Sequence, residues 1–550
     1  MLRYLFRASR RPAGALTTGM VVVALAACAP VQHPTGSATH TDDFGTPVGS
    51  QSVREGGELV MGLSSEPDRL DPTTSSSLYT RYVMNSICEK LYDNNAAGQL
   101  VPQLATALPD VSPDGLTVTI PVRTGIKFAD GAEFDAAAVQ TSLQRHLSMK
   151  GSQRTSEMGP IASIETADPA HVVLKFKKPF SPITAALADR AGMIMSPAAI
   201  KERGDNFGDH PVCVGAFKFV ERVPQTSIVV ERDPNYYDAK NVHLDKITYR
   251  IMSDANIRAA NLRSGDIQVA DTISPQDVGA LVKNKGLHLL QSSSLGYQGI
   301  TLNIGNVDGV GKPSKQIDTP LAKDPRVRMA FSLAIDRRQL VDVVFNNWFE
   351  LACTPISPQS PFATPDGTAC PAYDPQKSRQ LLAEAGVPIP YPVKLQVTNQ
   401  QDQLRYAQAL QASAAEGGFD IKVVPTEYST LLDVQKRGTF EALYLGWSGR
   451  LDPDGNITRF LQTGSGGNYG GYSSPKLDDL LGQASRTTDV AKRAELYGQA
   501  VQIIQQDNPY LYTYRIRVLT VHSTRVTGIE AYPDGVIRLG KAAFTADQKG

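Results

Sequence analysis

The chain has few histidines, few cysteines and no surplus of basic residues, and each shortage excludes a class of function. Its 8 histidines are not spaced as zinc ligands with a cysteine or a second histidine, so we expect no metal and no cofactor. Lys+Arg and Asp+Glu both number 55, and four of the bases are arginines before residue 28. Without that segment no excess positive charge remains to neutralise phosphates, which argues against nucleic acid as a partner.

The first 27 residues have the pattern of a secretion signal. Four arginines precede an apolar run at 13–27, which is shorter than the roughly 20 residues of a membrane-spanning helix. The sequence Leu25-Ala26-Ala27-Cys28 has the form of a lipobox. We expect 1–27 to be a lipoprotein signal peptide and Cys28 to carry a lipid anchor on the outer face of the cell membrane. A retained transmembrane anchor is the alternative.

Residues 28–51 are rich in Pro, Thr, Ser and Gly and contain few large apolar side chains. Such a segment cannot bury enough apolar surface to offset the entropy of ordering it. We therefore expect a flexible tether between Cys28 and the folded protein.

The rest of the chain is long enough for two or three domains, since one hydrophobic core stops growing at roughly 250–300 residues. From residue 52, strand-like runs such as 116–122 (LTVTIPV) and 171–176 (HVVLKF) alternate with helical stretches such as 490–507. Strands alternating with helices of ten or more residues predict α/β lobes.

Four cysteines remain after Cys28, an even number in an oxidising compartment. Cys353 and Cys370 bracket a proline-rich loop, and a bridge there would stabilise the protein by roughly 3 kcal/mol in the chain-entropy model. A second bridge between Cys88 and Cys213 is an expectation that competes with two buried free thiols.

Four blocks in order along the chain resemble one known family. They lie at 100–139, 214–271, 324–345 and 441–456. With them the chain strongly resembles family 5 of the extracellular solute-binding proteins, which includes the dipeptide- and oligopeptide-binding proteins of ABC importers. The resemblance implies a two-lobed α/β fold of the periplasmic-binding-protein type II, cluster C, with an extra inserted domain and two crossing strands.

The resemblance also implies how the lobes divide along the chain. We expect lobe I at 52–93, 213–301 and 513–550, the inserted domain at 94–212, and lobe II at 302–512. Such proteins close around a ligand like a hinged trap, and closure is stabilised by ligand contacts that exist only in the closed state.

The expected function is capture of a peptide or peptide-like solute outside the membrane and its delivery to an ABC importer permease, by a monomer without chemistry of its own. Across this family, non-peptide ligands such as glutathione, nickel chelates, haem and opines are alternatives. A chaperone-like or adhesion lipoprotein is another. Enzyme motifs are lacking: Gly305 to Lys312 does not match a Walker A loop, 446–450 lacks the last glycine of a nucleophile elbow, and no HExxH helix occurs.

The candidate ligand site centres on Gly446, Trp447 and Ser448. In peptide-binding relatives an aspartate three residues after the Gly-Trp pair receives the peptide ammonium, and here that position is Arg450. Arg450 is therefore a candidate for a ligand carboxylate, bound bidentately, while Asp452 or Asp454 takes the ammonium. A surface or hinge-side ion pair is the competing interpretation, and for Trp447 it is core packing.

Weaker candidates follow from the same resemblance. They end the first strand or flank the predicted first crossing strand at 297–303: Ser64, Ser65, Glu66, Tyr297 and Asn303.

Overall fold

The computed structural model of the protein describes residues 40–49 and 52–546. The predicted signal peptide at 1–27, the predicted lipidation site Cys28 and most of the predicted tether lie outside the described residues. Within the described ranges, no helix combines the length and the apolar character that crossing a membrane requires.

The N-terminal part of the fold is rich in short strands. Its strands are β1 (Val53–Arg54), β2 (Glu58–Leu63), β3 (Tyr92–Asn94), β4 (Leu100–Pro102), β5 (Asp110–Val111), β6 (Thr117–Pro121), β7 (Ile126–Lys127), β8 (Glu133–Phe134), β9 (Ile161–Asp168) and β10 (His171–Phe176). Its helices are α1 (Leu78–Ile87), α2 (Ala136–Ser148), α3 (Ile183–Ala186) and α4 (Pro197–Arg203).

The middle and C-terminal parts carry the longer helices. Next along the chain come β11 (Phe217–Val223), β12 (Ser227–Arg232), β13 (Lys246–Ile251), α5 (Ala255–Ser264), β14 (Val269–Ala270), α6 (Pro275–Leu281), β15 (Leu287–Ser293) and β16 (Gln298–Leu302). These are followed by α7 (Pro320–Lys323), α8 (Pro325–Leu333), α9 (Arg337–Phe345), β17 (Glu350–Leu351), α10 (Pro365–Thr368), α11 (Pro375–Glu384), β18 (Tyr391–Thr398), α12 (Gln401–Glu416), β19 (Phe419–Thr426), α13 (Tyr428–Arg437) and β20 (Ala442–Tyr444). The last elements are α14 (Asp454–Leu461), α15 (Pro475–Arg486), α16 (Val490–Asp507), β21 (Tyr510–Arg515), β22 (Arg517–Ser523), β23 (Val526–Thr527), β24 (Glu530–Ala531), β25 (Ile537–Arg538) and β26 (Ala543–Thr545).

Three larger sheets organise these elements. A seven-stranded sheet has the order β11-β12-β13-β2-β14-β22-β15, with β2 parallel to both β13 and β14. A six-stranded sheet has the order β17-β21-β16-β20-β18-β19, with β18 parallel to β19 and β20. A four-stranded antiparallel sheet, β5-β6-β10-β9, lies wholly inside the stretch predicted as the inserted domain.

The chain passes between the two large sheets at two places. It leaves the seven-stranded sheet after β15 and enters the six-stranded sheet at β16, and it returns between β21 and β22, where Ile516 alone intervenes. This is the two-lobed α/β fold expected from the sequence. The predicted boundaries after 301 and 512 cut β16 and β21, so we propose that the lobes meet at 294–297 and 516. Below, the first lobe is 52–93, 213–293 and 517–546, and the second lobe is 298–515.

Helices of the second lobe differ in whether the residue before the first turn caps the helix, and this difference concerns the candidate site. α9 and α16 each begin after an aspartate whose carboxylate accepts a first-turn N–H, a contact typically worth about 1 kcal/mol. α12 has Gln400 at this position, and its side chain makes no capping bond. The side chains around the start of α12 are therefore free for other contacts.

Four cysteines lie in two pairs. Cys88 is joined to Cys213 with their Cα atoms 4.9 Å apart, and Cys353 to Cys370 at 4.8 Å. Both separations lie in the ordinary range for disulfides.

Residues His40–Gly45, predicted as part of the flexible tether, lie against the two lobes. Asp43 pairs with Gln291 of β15 through two backbone hydrogen bonds of 2.7 and 2.8 Å. The His40 ring stacks on Trp348 of the second lobe with centroids 4.0 Å apart. Their composition offers little apolar surface to bury, but these contacts use backbone hydrogen bonds, one stacked ring and charged side chains. In the described part of the chain, the contacts with the lobes thus include residues that were predicted as tether.

Candidate functional site

A cavity of about 130 Å³ lies between the two lobes. We call it the interlobe cavity. Its walls come from the end of β2, the starts of α1, α5 and β22, the end of β18 with the first turn of α12, and the loop after β20.

Strand topology explains why these segments meet. Ser64 directly follows β2, Thr398 is the last residue of β18, and 446–448 follow β20. Each strand has a parallel neighbour, and ligands of open α/β sheets bind outside the carboxyl ends of such strands. Gly296 in the first crossing segment allows the close approach, because a Cβ there would lie 2.0 Å from the Trp447 carbonyl oxygen.

Three charged residues line the interlobe cavity: Arg258, Asp402 and Arg517. Arg258 donates to the carbonyl oxygens of Met252 (2.6 Å) and Thr272 (2.9 Å). Both arginines are buried, at 3% and 4% exposure.

Arg517 contacts side chains outside the cavity, and one of them comes from the N-terminal segment. It donates to the Ser293 hydroxyl at 3.0 Å and forms an ion pair with Asp42, and Glu350 lies 3.5 Å away. Its charge is therefore matched by acids outside the cavity.

Asp402, in the first turn of α12, is the cavity's only acidic lining residue among those the structure describes. Its Oδ1 accepts hydrogen bonds from the Ser274 hydroxyl and from Arg405, both at 2.9 Å. Sequence analysis missed Asp402 and its neighbours Thr398, Gln400 and Gln401. The sequence feature that could have indicated these residues is a polar run, 399–403 (NQQDQ), directly between a buried strand and an amphipathic helix.

Several predicted residues do lie at the cavity. Gly446, Trp447 and Ser448 line it, as does Ser64. The Ser64 hydroxyl donates to Asp271 at 2.7 Å, behind the wall. Trp447 donates its indole N–H to Asn456 Oδ1 at 3.1 Å, which fixes the ring.

Ser65 acts from behind the cavity wall. It is 5% exposed, and its hydroxyl accepts a hydrogen bond from Gln400 Nε2 at 2.7 Å across the two lobes. It thus positions a lining side chain.

Glu66 requires a correction, because it points away from the cavity. Its carboxylate accepts two hydrogen bonds from Arg222 at 3.0 and 2.7 Å and one from the Gln225 backbone N–H at 3.1 Å. These contacts hold the β11–β12 turn against the loop after β2. Both carboxylate oxygens are occupied by this structural role.

Asn303 and Tyr297 also differ from the prediction. Asn303 donates to the carbonyl oxygens of Gly438 (2.9 Å) and Phe440 (3.0 Å), so it ties loops of the second lobe together away from the interlobe cavity. Tyr297 is 3% exposed and donates to the Asn456 carbonyl at 2.8 Å. It borders a separate cavity of about 50 Å³ beside Trp447.

Arg450 requires the largest correction, since it faces a buried acid instead of the interlobe cavity. Its Nη2 lies 2.5 Å from Asp189 Oδ2, and its guanidinium stacks over Trp447 at 4.1 Å. Asp189 lies in the stretch predicted as the inserted domain, and its carboxylate also accepts a hydrogen bond from Arg81 Nε at 2.8 Å. Burial would raise the pKa of Asp189, but Arg450, Arg81 and Arg190 hold it well below its usual value.

Asp452 and Asp454 line a small cavity of about 30 Å³ beside Arg450. Asp452 forms a bidentate pair with Arg493 at 2.8 and 2.7 Å, so its charge is not available to a ligand. Asp454 accepts from the Thr458 hydroxyl at 2.7 Å. Burial, with the nearby Asp452 charge, raises the pKa of Asp454 to about 7.

The interlobe cavity therefore offers hydrogen-bonding groups, aromatic walls and one acid. In the described ranges 40–49 and 52–546, no group of three or more His, Cys, Asp and Glu side chains could hold a metal ion. Such a site is suited to binding a small polar molecule between closing lobes.

Comparisons with known proteins agree with this arrangement. The family model "Bacterial extracellular solute-binding proteins, family 5 Middle" matches residues 99–469. The glutathione-binding protein GsiB of Escherichia coli O1:K1 is 31% identical over 495 residues, covering 87% of this chain and 92% of that protein. GsiB of Pectobacterium atrosepticum is 30% identical over 500 residues, with 89% and 94% covered.

Two solved structures are similar at 25% identity, with a TM-score of 0.80 and 90% and 99% of the two chains covered. One is the periplasmic binding protein DppA of Helicobacter pylori in complex with the peptide STSA. The other is the binding protein AgaA of A. tumefaciens R10 in complex with agropinic acid. Both are binding proteins with the same two-lobed fold.

Proposed function

The chain belongs to family 5 of the bacterial extracellular solute-binding proteins, and we propose that its interlobe cavity captures a short peptide or peptide-like solute, with glutathione the first candidate. The family supplies solutes to ABC importers, so the closed protein would deliver its ligand to a permease. We propose that it acts as a monomer and performs no reaction on the ligand.

The observation that carries this proposal is the interlobe cavity itself. Its walls come from both lobes, so a ligand there would contact residues that meet only when the lobes are closed. The small volume of about 130 Å³ favours a short ligand over a long peptide. The likeness to GsiB supports glutathione, a tripeptide, as the first ligand to test.

Thermal unfolding of the purified protein with a panel of ligands tests the proposal. At about 100 times its dissociation constant a ligand should stabilise the protein by roughly 2.7 kcal/mol. With an unfolding entropy of about 2.1 cal/mol/K per residue, Tm should then rise by roughly 2–3 °C. The panel is glutathione, di- and tripeptides, an octapeptide, nickel–histidine, haem and an opine.

A shift with glutathione or a short peptide, and none with the octapeptide, is the expected result. A shift only with nickel–histidine, haem or the opine would support the function as a solute receptor and contradict a peptide as its ligand. No shift with any compound would favour a chaperone or adhesion lipoprotein on the same scaffold.

We also propose that Cys28 anchors the protein to the outer face of the cell membrane. The lipobox Leu25-Ala26-Ala27-Cys28 supports this, and two acyl chains are enough for stable anchoring. The family is extracytoplasmic, in agreement. Cells fed a labelled fatty acid should label the wild-type protein and leave Cys28→Ser unlabelled; equal labelling of both would contradict the anchor at this cysteine.

A further inference from the structure

We infer that the segment from Thr398 to Asp402 is a subsite for an amino group of the ligand, with Asp402 supplying the charge. This inference rests on the proposed capture of a peptide-like solute in the interlobe cavity. It names the chemical group recognised and the residues that recognise it.

Four hydrogen-bond acceptors lie on this wall. Thr398 is 2% exposed, lines the cavity, and its buried hydroxyl has no hydrogen-bond partner among the described residues. Gln400 donates its amide N–H groups to Ser65 (2.7 Å) and Tyr79 (3.0 Å), so its carbonyl oxygen remains for a ligand.

Gln401 is oriented in the same way. Its amide nitrogen donates to Asp254 Oδ2 at 3.0 Å, which leaves its carbonyl oxygen as an acceptor. The fourth acceptor is Asp402 Oδ2, which makes no hydrogen bond within the described part of the chain, whereas Oδ1 is held by Ser274 and Arg405. An ammonium group carries a positive charge and three N–H donors, and this wall offers one carboxylate and several neutral acceptors.

The charge balance favours a cation at this wall. A helix N-terminus carries roughly half a positive charge, and the full negative charge of Asp402 exceeds it. Arg405 reaches only Oδ1, and its side chain is 44% exposed, so solvent screens it. A ligand carboxylate placed here would face Asp402 at close range.

The two arginines of the cavity do not compete for Asp402. Arg258 is directed at backbone carbonyl oxygens, and Arg517 is paired with Asp42 near Glu350. Asp402 is therefore the charge that a ligand amine would meet. The free N-terminal amine of a short peptide and the α-amine of a γ-glutamyl group share this chemistry.

The experiment is isothermal titration of wild-type protein and Asp402→Asn with glutathione and with a free dipeptide, each also as its N-acetyl derivative. N-acetylation of the ligand and Asp402→Asn each remove hydrogen bonds between charged groups. We therefore expect N-acetylation to weaken wild-type binding roughly 10- to 100-fold. Asp402→Asn should weaken binding of the free amine by a similar factor. The ratio between free and acetylated ligand should then fall towards one.

The matched control is Asp420→Asn, an exposed acid on β19 outside the cavity, which should bind as wild type does. Thr398→Val removes one neutral acceptor with little change of shape and should weaken binding roughly 3- to 10-fold. It serves as the second test if Asp402→Asn does not fold.

The two ways to fail are distinguishable. If wild-type protein binds neither free ligand, the proposed capture of peptide-like solutes fails. If it binds them and neither acetylation nor either variant changes affinity, the function stands and the amine subsite is overturned. Whichever ligand shows the acetylation effect identifies the source of the amine.

Discussion

Replacing Asp189 with asparagine should lower the free energy of unfolding by about 3–5 kcal/mol. The side chain is 6% exposed, contacts Arg81 and Arg450 at 2.8 and 2.5 Å, and lies 3.8 Å from Arg190. Removing its charge leaves three buried guanidinium groups short of a partner, although Asp534 still contacts Arg81. Chemical denaturation of the ligand-free protein measures the loss.

The control is Asp318→Asn, an acid that is 91% exposed and pairs with Lys323, where we expect no measurable change in the free energy of unfolding. The double variant Asp189→Asn with Arg450→Gln should lose less than the sum of the two single losses, because it removes one of the unpaired cations. Equal effects of Asp189→Asn and Asp318→Asn would contradict the role of the buried cluster.

Asp454→Asn should stabilise the protein relative to wild type, and the gain should grow by about 3 kcal/mol between pH 4.5 and 8. The pKa of Asp454 is raised to about 7 in the folded protein, from an ordinary value of 3.8. Between these values the folded state holds a proton that the unfolded state has lost. The contribution of Asp454 therefore falls as pH rises through that window and is constant above pH 7.

The difference between variant and wild type is the quantity to measure. Burial lowers the pKa of His146 to about 3, so His146 contributes with the opposite sign in an overlapping range, and it cancels in the difference. Asp479→Asn, at an exposed position on α15, is the matched control for the substitution. A flat difference for Asp454→Asn would mean that the carboxyl titrates normally.

The fold was predictable because family-wide sequence blocks and strand–helix alternation both encode it. The strands β6 and β10 and the helix α16 fall in the runs at 116–122, 171–176 and 490–507 that predicted them. The crossing points that we propose lie a few residues from the predicted lobe boundaries. Periodicity identifies a strand such as β16 but does not tell which sheet it joins, because that depends on hydrogen bonds to β20 and β21.

The candidate site was harder to predict, because charge pairing over long sequence distances decides which polar residues are free. Arg450 and Asp452 stood out in the sequence, yet Asp189 and Arg493 neutralise them, from 261 and 41 positions away. Asp402 was inconspicuous in a polar run. Asp402 becomes a candidate because it lies on the cavity wall and because the amide nitrogens of the neighbouring glutamines donate to other residues.

If the protein is anchored through Cys28 as proposed, the contacts of His40–Gly45 determine which edge of the molecule can face the lipid bilayer. This segment runs beside the second crossing point, where Asp42 pairs with Arg517 and His40 stacks on Trp348. If Cys28 is lipidated as proposed, residues 28–39 separate the lipid anchor from His40. A fully extended chain of that length spans at most about 40 Å at 3.3–3.6 Å per residue. Docking on a permease would then have to occur with the second crossing point held near the membrane. The two lobes would open and close relative to this anchored point.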